Sequence, residues 1–181
     1  MRLKVIGCSI FRKEIEHLRG TDFAVTWLPA GLHVSDERLG AALGQALAGE
    51  EEVACFYGAC HPDMNLLLAG HGGRRLQARN CVEAFLDPVE RARLGERVFI
   101  MTPGWLREWR SIFIEGLGWD EIDGRINFGG YDKIVVLDFG LEPIDELAVL
   151  EFYDYTQTPV ETVPASLSWF RARVEEVLGE E

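Results

Sequence analysis

The sequence has few basic residues and no long apolar segment. Its 181 residues include 18 Lys and Arg against 30 Asp and Glu, which gives a net charge of −12. A surface of this charge repels phosphate backbones, so we expect no nucleic acid partner. No apolar stretch reaches the roughly 18–20 residues that a membrane span needs, and no basic segment leads into a signal-like apolar stretch. We therefore expect a cytoplasmic protein with no membrane contact.

Cysteine is scarce, and its spacing is irregular. The four cysteines stand at positions 8, 55, 60 and 81, and no two form a Cys-x-x-Cys pair. In a reducing cytoplasm such cysteines are free, metal-bound or catalytic rather than paired in disulfides. Cys55 lies inside an apolar run, and we expect it to pack in the core because free cysteine is among the most buried residue types.

Several well-known catalytic motifs are missing. The sequence contains neither the G-x-G-x-x-G fingerprint of dinucleotide-binding proteins nor the Walker A motif. It also lacks the Gly-x-Ser-x-Gly elbow of serine hydrolases. These absences leave nucleotide-dependent and serine-hydrolase chemistry without support.

What the sequence does contain is a regular alternation of strand-like and helix-like segments. Ser35 stands where an N-cap residue is expected, and Pro88 predicts a break in the helical segment around it. Such alternation is typical of βαβ units and a parallel sheet. We predict a single α/β domain over residues 1–181, with a three-layer, Rossmann-like or flavodoxin-like architecture and a mostly parallel sheet.

Three cysteines and one histidine each follow a predicted strand. They are Cys8, His33, Cys60 and Cys81. The strands before them are residues 3–7, 23–28, 53–57 and, less regular than the others, 75–78. Ligands of open α/β sheets bind outside the carboxyl ends of the strands, which all lie at one edge. We therefore predict that these four side chains meet, although the strand order, 2-1-3-4-5 or 3-2-1-4-5-6, is left open.

Thiolates and an imidazole are ligands that suit zinc or an iron–sulfur cluster. A zinc site with three cysteines and a histidine is one alternative, and a four-iron cluster with one open iron is another. In either case Cys8, Cys60, Cys81 and His33 are the predicted metal ligands. The competing interpretation is that the three cysteines are unrelated and fill tight strand–helix turns.

Three further residues are candidates for the same site. His61 directly follows Cys60 and could contact a bound group. Trp105 follows another predicted strand in Thr-Pro-Gly-Trp, and we expect it at the same sheet edge, as a pocket wall or a helix-packing aromatic. Asp138 ends a predicted strand and is either a catalytic base or the cap of a loop. We predict His61 and Trp105 as cofactor-binding residues and Asp138 as the catalytic residue.

These motifs together resemble a family known as domain of unknown function 1638. The resemblance rests on Cys8, on Leu-Pro-x-Gly-Leu-His at residues 28–33, on Tyr-Gly-x-Cys at residues 57–60, on Cys81 and on Thr-Pro-Gly-Trp at residues 102–105. It implies a cytoplasmic protein with a cysteine-rich site in one-carbon or metallocofactor metabolism. Members of this family are often found near corrinoid-dependent methyl-transfer systems. The resemblance therefore implies a small-molecule substrate or metallocofactor as ligand. It also implies a corrinoid or methyltransferase protein as partner.

The chain departs from the family pattern before Cys81, where Arg79 and Asn80 replace a histidine and an aspartate. Three hypotheses follow. The first is a metal- or cluster-binding protein, and whether it is also an enzyme is left open. The second is a metal-free accessory module for a corrinoid or methyl-transfer system. The third is a thiol-based transferase.

Overall fold

The strands of the first half of the chain form one parallel sheet. The computed structural model describes residues 3–180. The sheet has the order β2-β1-β3-β4, and all three of its strand pairs are parallel. Its strands are β1 (Lys4–Cys8), β2 (Thr26–Leu28), β3 (Val53–Phe56) and β4 (Arg74–Arg75). This is the start of the flavodoxin-like order, in which β1, β3 and β4 are neighbours.

The second half of the chain forms a separate parallel sheet of three strands. Its order is β5-β6-β7, built from β5 (Val98–Met101), β6 (Lys133–Asp138) and β7 (Val160–Pro164). Buried side chains from both sheets belong to one hydrophobic cluster. The predicted α/β architecture with parallel strands, Rossmann-like or flavodoxin-like, is confirmed, but the strands are divided between two sheets.

The buried strands are apolar because helices cover both faces of a parallel sheet. All four residues of β3 are buried, as are the four central residues of β6. The described residues contain these α-helices: α1 (Arg12–Arg19), α2 (Asp36–Leu47), α3 (Met64–Ala69), α4 (Cys81–Phe85), α5 (Pro88–Arg93), α6 (Pro103–Trp109), α7 (Glu121–Phe128), α8 (Glu146–Thr156) and α9 (Ser168–Leu178). Within residues 3–180, no helix is both long enough and apolar enough to cross a membrane.

Local signals in the sequence placed two helix boundaries correctly. The Ser35 side chain accepts a hydrogen bond from the backbone N–H of Arg38 and so caps α2. The predicted break near Pro88 is also present, because α4 ends at Phe85 and α5 begins at Pro88 behind an Asp87 capping box. Both boundaries can be predicted because a capping side chain bonds to backbone N–H groups only two or three residues away.

Two predictions about the strands are wrong. The strand expected at residues 75–78 is only Arg74–Arg75, because the Ala78 N–H turns back to the Leu76 carbonyl at 2.8 Å and leaves the ladder. The Thr-Pro-Gly-Trp segment follows β5, which belongs to the second sheet. The expectation that this segment follows a strand of the same sheet as the cysteines is therefore wrong, although Trp105 itself reaches the cavity that the cysteines line.

A close backbone contact brings the two halves together at this segment. Gly104, in the first turn of α6, lies so near the Ile10 carbonyl oxygen that a Cβ atom at position 104 would overlap it. Ile10 belongs to a 3-10 turn, Ser9–Phe11, which directly follows β1. The glycine therefore allows α6 to pack on the turn that follows Cys8.

We predict that Gly104→Ala destabilises the protein. The new methyl group would force α6 away from the Ser9–Phe11 turn, and overpacking of this kind lowers the free energy of unfolding by about 1–3 kcal/mol. Gly44→Ala is the matched control, because Gly44 is also helical and, apart from the adjacent backbone of its own helix, no atom of the described residues lies within 4 Å of its Cβ position. Urea denaturation should show Gly44→Ala neutral or stabilising. Equal stabilities of the two variants would contradict the packing argument.

Candidate metal centre

Three of the four cysteines line one small cavity. Cys8 is the last residue of β1, Cys60 lies in the loop after β3, and Cys81 is the first residue of α4. The cavity has a volume of about 80 Å³. It is lined by Cys8, Ile10, Phe11, His33, Tyr57, Cys60, Asn80, Cys81 and Trp105. The structure thus brings together residues that are more than 70 positions apart in sequence.

The strand order places these loops side by side. β3 pairs with β1 on one side, with Phe56 opposite Gly7, and with β4 on the other. Beyond the end of β3, the Ala59 N–H donates to the Ala78 carbonyl at 3.0 Å. A Cβ atom on Gly58 would lie 2.8 Å from that same carbonyl oxygen, so the close approach requires glycine. This contact holds the loop with Cys60 against the segment that leads into Cys81.

Cys55 is separate from this group. It lies inside β3, is fully buried and does not line the cavity. Its side chain packs in the hydrophobic cluster, as the apolar run around it predicts. Burial raises the pKa of its thiol to about 12. Cys55 therefore serves as an internal control for the other three cysteines.

His33 reaches the cavity from a short turn, Ala30–Val34, that follows β2. The Ala30 N–H donates to the Ser9 hydroxyl at 2.9 Å, which holds the turn beside the end of β1. The His33 Nδ1 atom is hydrogen-bonded to the Ala30 carbonyl, and burial lowers the pKa of the ring. A neutral imidazole whose Nδ1–H donates to a carbonyl keeps the Nε2 lone pair for another partner, as metal-binding histidines do.

Trp105 forms one wall of the cavity and contacts a thiol. The backbone N–H of Trp105 is capped by the Thr102 hydroxyl at the start of α6. The indole Nε1–H donates to the Cys81 sulfur at 2.8 Å, and the His33 ring centroid lies 5.2 Å from that of Trp105. Trp105 therefore reaches the cysteine cavity from the second half of the chain.

The thiols of this cavity hold their protons at neutral pH. Burial, with smaller contributions from the neighbouring cysteines, raises the pKa of both Cys8 and Cys81 to about 12. The pKa of Cys60 is also raised by burial. A nearby positive charge reverses this effect, because it stabilises the thiolate form that burial disfavours.

The chemistry of the donor set fits a thiophilic metal. Three sulfurs and an available imidazole nitrogen are the ligand types of zinc and iron–sulfur sites. Across residues 3–180, no group of three or more His, Cys, Asp and Glu side chains is already arranged as a ligand shell for a metal ion. Cys8, Cys60 and Cys81 share the cavity and would have to turn their sulfurs toward a common centre to hold one.

Two of the predicted site residues lie elsewhere. The His61 ring packs against Gly40 of α2, and its Nδ1 accepts a hydrogen bond from the Asp63 N–H at 3.0 Å. Asp138 ends β6 and accepts a hydrogen bond from the Gly140 N–H at 2.8 Å, so its carboxylate caps a loop. Neither residue is among those that line the cysteine cavity.

Tyr57 is a cavity residue that the sequence suggested only as part of the Tyr-Gly-x-Cys motif. It is 1% exposed, and within the described part of the chain its hydroxyl lies beside the Cys8 thiol without making a hydrogen bond of ordinary geometry. Burial, together with the nearby Cys8 and Cys55 thiols, raises the pKa of the phenol well above its ordinary value. The residue type at this position could have identified Tyr57 as a candidate, since a tyrosine at the end of a buried strand needs a partner for its hydroxyl.

We predict that the cavity thiols of the metal-free protein react slowly with iodoacetamide. A pKa near 12 leaves about a thousandfold less thiolate at pH 8 than an ordinary cysteine has. Mass spectrometry should show Cys8 and Cys81 alkylated that much more slowly than the same cysteines in urea, with the half-buried Cys60 reacting first. Below the raised pKa values, each rate should rise about tenfold per pH unit.

Rapid alkylation of a single cavity cysteine at pH 7 would contradict this prediction. It would show that the cysteine is a thiolate without any metal. The unfolded protein, in which all four cysteines should react at ordinary rates, provides the control for accessibility.

Comparison with known proteins assigns the chain to one family. The family model described as a protein of unknown function (DUF1638) matches residues 27–174, a range that includes His33, Cys60, Cys81 and Trp105. Cys8 lies before the matched range. No curated protein and no solved structure matches the chain. The predicted resemblance is confirmed, and the chain belongs to the DUF1638 family.

Proposed function

We propose that the protein binds a thiophilic metal centre, zinc or an iron–sulfur cluster, through Cys8, Cys60 and Cys81. The observation that carries this proposal is the convergence of three cysteines, from three separate segments of the chain, on one small cavity. His33 is the fourth ligand or a neighbour of the centre, because its Nε2 lone pair is not used by the Ala30 carbonyl.

The use of cysteine in this chain supports the proposal. Only four cysteines occur in 181 residues, and three of them line the same 80 Å³ cavity. Burial and, to a smaller extent, the neighbouring thiols raise the pKa of Cys8 and Cys81, so the grouping disfavours the thiolate form unless a cation is present. A bound metal cation would stabilise the three thiolates together, because metal binding replaces the thiol protons.

The cavity has room for more than a metal ion. Its volume is several times the roughly 10–15 Å³ that a single water molecule needs. A metal centre with an open position acts as a Lewis acid toward a small bound substrate. Trp105 would line this space and hold the Cys81 sulfur through its indole N–H. Asp138 and His61 have no part in this proposal, since both lie outside the cavity wall.

The biological setting belongs to the same proposal. We place it in one-carbon or metallocofactor metabolism in the cytoplasm, which is what the resemblance described in the sequence analysis implies. A corrinoid or methyltransferase protein is the partner that the same resemblance implies. Arg79 and Asn80 stand where the resemblance implies a histidine and an aspartate. Asn80 lines the cavity, and Arg79 pairs with Glu83.

A thiol-based transferase is the second candidate, favoured by one contact. The Trp105 N–H···S hydrogen bond lowers the pKa of Cys81 and would support a thiolate there. Burial has the larger effect, and the net pKa of Cys81 is about 12. We therefore rank a thiolate nucleophile without metal below a metal centre.

The deciding experiment is anaerobic purification followed by absorption spectroscopy and analysis of metals and sulfide. Broad absorption near roughly 400 nm with iron and sulfide would identify a cluster. One zinc per chain without colour would identify a zinc site. Absence of both metals, with three thiols that become titratable when the protein is unfolded, would contradict the proposal and favour an accessory module or a thiol enzyme.

We predict that the three cavity cysteines are each required for the metal and that Cys55 is not. Cys8→Ala, Cys60→Ala and Cys81→Ala should each lose most of the bound metal, because each removes a ligand. Cys55→Ala is the matched control, since it removes a buried thiol from the same sheet without touching the cavity. Metal per chain is measured by mass spectrometry of the elements, with circular dichroism to check the fold.

Wild-type metal content in all three cavity variants would contradict the ligand assignment. Loss of metal in Cys55→Ala as well, with its fold intact, would contradict the separation of Cys55 from the site.

A further inference from the structure

Glu14 is a buried carboxyl group that lies outside the cysteine cavity. It belongs to α1 and is 1% exposed, and its Oε2 atom has no hydrogen-bond partner within residues 3–180. Acidic side chains are almost never buried to this degree unless they are paired, because an isolated carboxylate is costly to remove from water. The proposed metal centre does not explain the position of Glu14, which requires an explanation of its own.

Glu14 lies where the two halves of the chain meet. A cavity of about 10 Å³ adjoins it, which is about the space that one water molecule needs. The walls of this cavity come from α1 of the first half, and from α6 and the segment at the end of β6 in the second half. They include Lys13, Glu14, Pro103, Arg107, Asp138 and Glu142. A charge on Glu14 would therefore be enclosed between the two halves.

The cations beside Glu14 are directed to a different carboxylate. Arg107 donates to Glu142 Oε1 at 2.9 Å, and the Lys13 Nζ atom lies 3.4 Å from Glu142 Oε2. Asp138, which also lines the cavity, adds another acidic group. Among residues 3–180, no Lys or Arg forms an ion pair with Glu14 itself. An ionised Glu14 would therefore be buried without a counter-ion.

These surroundings favour the neutral form of Glu14. Burial is the main cause and raises the pKa of the carboxyl group to about 7, against the lowering effects of the Glu14 backbone N–H and of Arg107. In mildly acidic solution the group is neutral and can be buried at small cost. As the pH rises above this pKa, the group becomes an unpaired buried charge.

The helix α6 connects Glu14 to the cysteine cavity. Pro103 lines the small cavity beside Glu14, and Trp105 donates to the Cys81 sulfur. Gly104, between them, packs against the carbonyl oxygen of the turn that leads into α1. Because these three residues of α6 are consecutive, a shift of its first turn away from α1 would also move Trp105.

We propose that Glu14 is a proton-controlled contact between the two halves of the protein. In its neutral form Glu14 allows α6 to pack beside α1, and in its ionised form it loosens α6 and moves Trp105 away from the cysteine cavity. An ionised carboxylate favours the loosened arrangement because water can reach it there. This inference does not depend on a bound metal, so it and the proposed function can fail separately.

The direction of the pH effect follows from the change in pKa. The packed arrangement binds the Glu14 proton more tightly than a loosened one, in which the hydrated carboxyl group has its ordinary pKa of 4.5. The packed arrangement therefore loses stability relative to the loosened one as the pH rises from 4.5 to about 7, and the loss is complete above that range.

The test is hydrogen–deuterium exchange of peptides that cover α6, measured by mass spectrometry in the wild type and in Glu14→Gln at about pH 5.5 and about pH 8.5. Glutamine has the shape of the neutral acid and cannot ionise. Glu16→Gln is the matched control, because Glu16 lies on the same helix and pairs with Arg12. Comparison of the proteins at the same pH removes the intrinsic effect of pH on exchange.

We expect the exchange rate of α6 in the wild type, relative to that in Glu14→Gln, to rise about thirtyfold between the two pH values. Linkage requires about this factor when opening lowers the pKa of one group from about 7 to 4.5. Glu16→Gln should follow the wild type. Peptides of β3 should show no such change, because the loosening is confined to the contact between the halves.

Several results would overturn the inference. A relative rate for α6 that does not depend on pH, or the same behaviour in Glu16→Gln as in Glu14→Gln, would show that Glu14 does not control the contact. An equal rise in β3 would show that ionisation acts on the whole fold. The wild type also provides a measurement that needs no variant: a ¹³C NMR titration of the Glu14 carboxyl carbon should have its midpoint near pH 7, and an ordinary midpoint refutes the proposal.

Discussion

The parallel pairing of β3 between β1 and β4 is the constraint on which the site depends. It places the ends of these strands side by side, and the contact of Gly58 with the Ala78 carbonyl continues the alignment beyond the last ladder hydrogen bond. Cys8, Cys60 and Cys81 are neighbours for that reason. The spacing of adjacent parallel strands, about 4.8 Å, brings loops after three such strands close enough to share a cavity.

The sequence predicts that the cysteines and His33 share one edge of a sheet because this follows from two local properties. Apolar runs such as that of β3 mark buried parallel strands, and a polar residue directly after such a run lies at the carboxyl edge of the sheet. Whether these residues are also neighbours along that edge depends on the strand order. The strand order of the first sheet had to come from the structure, since no local pattern distinguishes the neighbours of β1.

The parts that could not be predicted depend on contacts between distant segments. Trp105 reaches the cavity from the second sheet because Gly104 allows α6 to pack against the Ile10 carbonyl, a contact with no signature in either segment alone. His61 adjoins Cys60 in sequence, yet its ring turns toward Gly40. The burial of the Tyr57 hydroxyl beside the Cys8 thiol also depends on the fold, because the two residues lie on different segments of the chain and neither sequence context predicts the contact.

The raised pKa values of the cavity thiols favour the hypothesis of a metal site over that of a thiol nucleophile without a metal. A catalytic thiolate needs a lowered pKa, which enzymes obtain from a cation or an exposed, electropositive setting. The largest effect on Cys8 and Cys81 is burial, which acts in the opposite direction, and the one side-chain donor to Cys81, Trp105, is neutral. Nor does His33 provide the missing charge, since burial lowers the pKa of its ring. Arg75 lowers the pKa of Cys60, but burial has the larger effect there too. A cation bound directly to the sulfurs would therefore stabilise the three thiolates more effectively than the charges of the chain do.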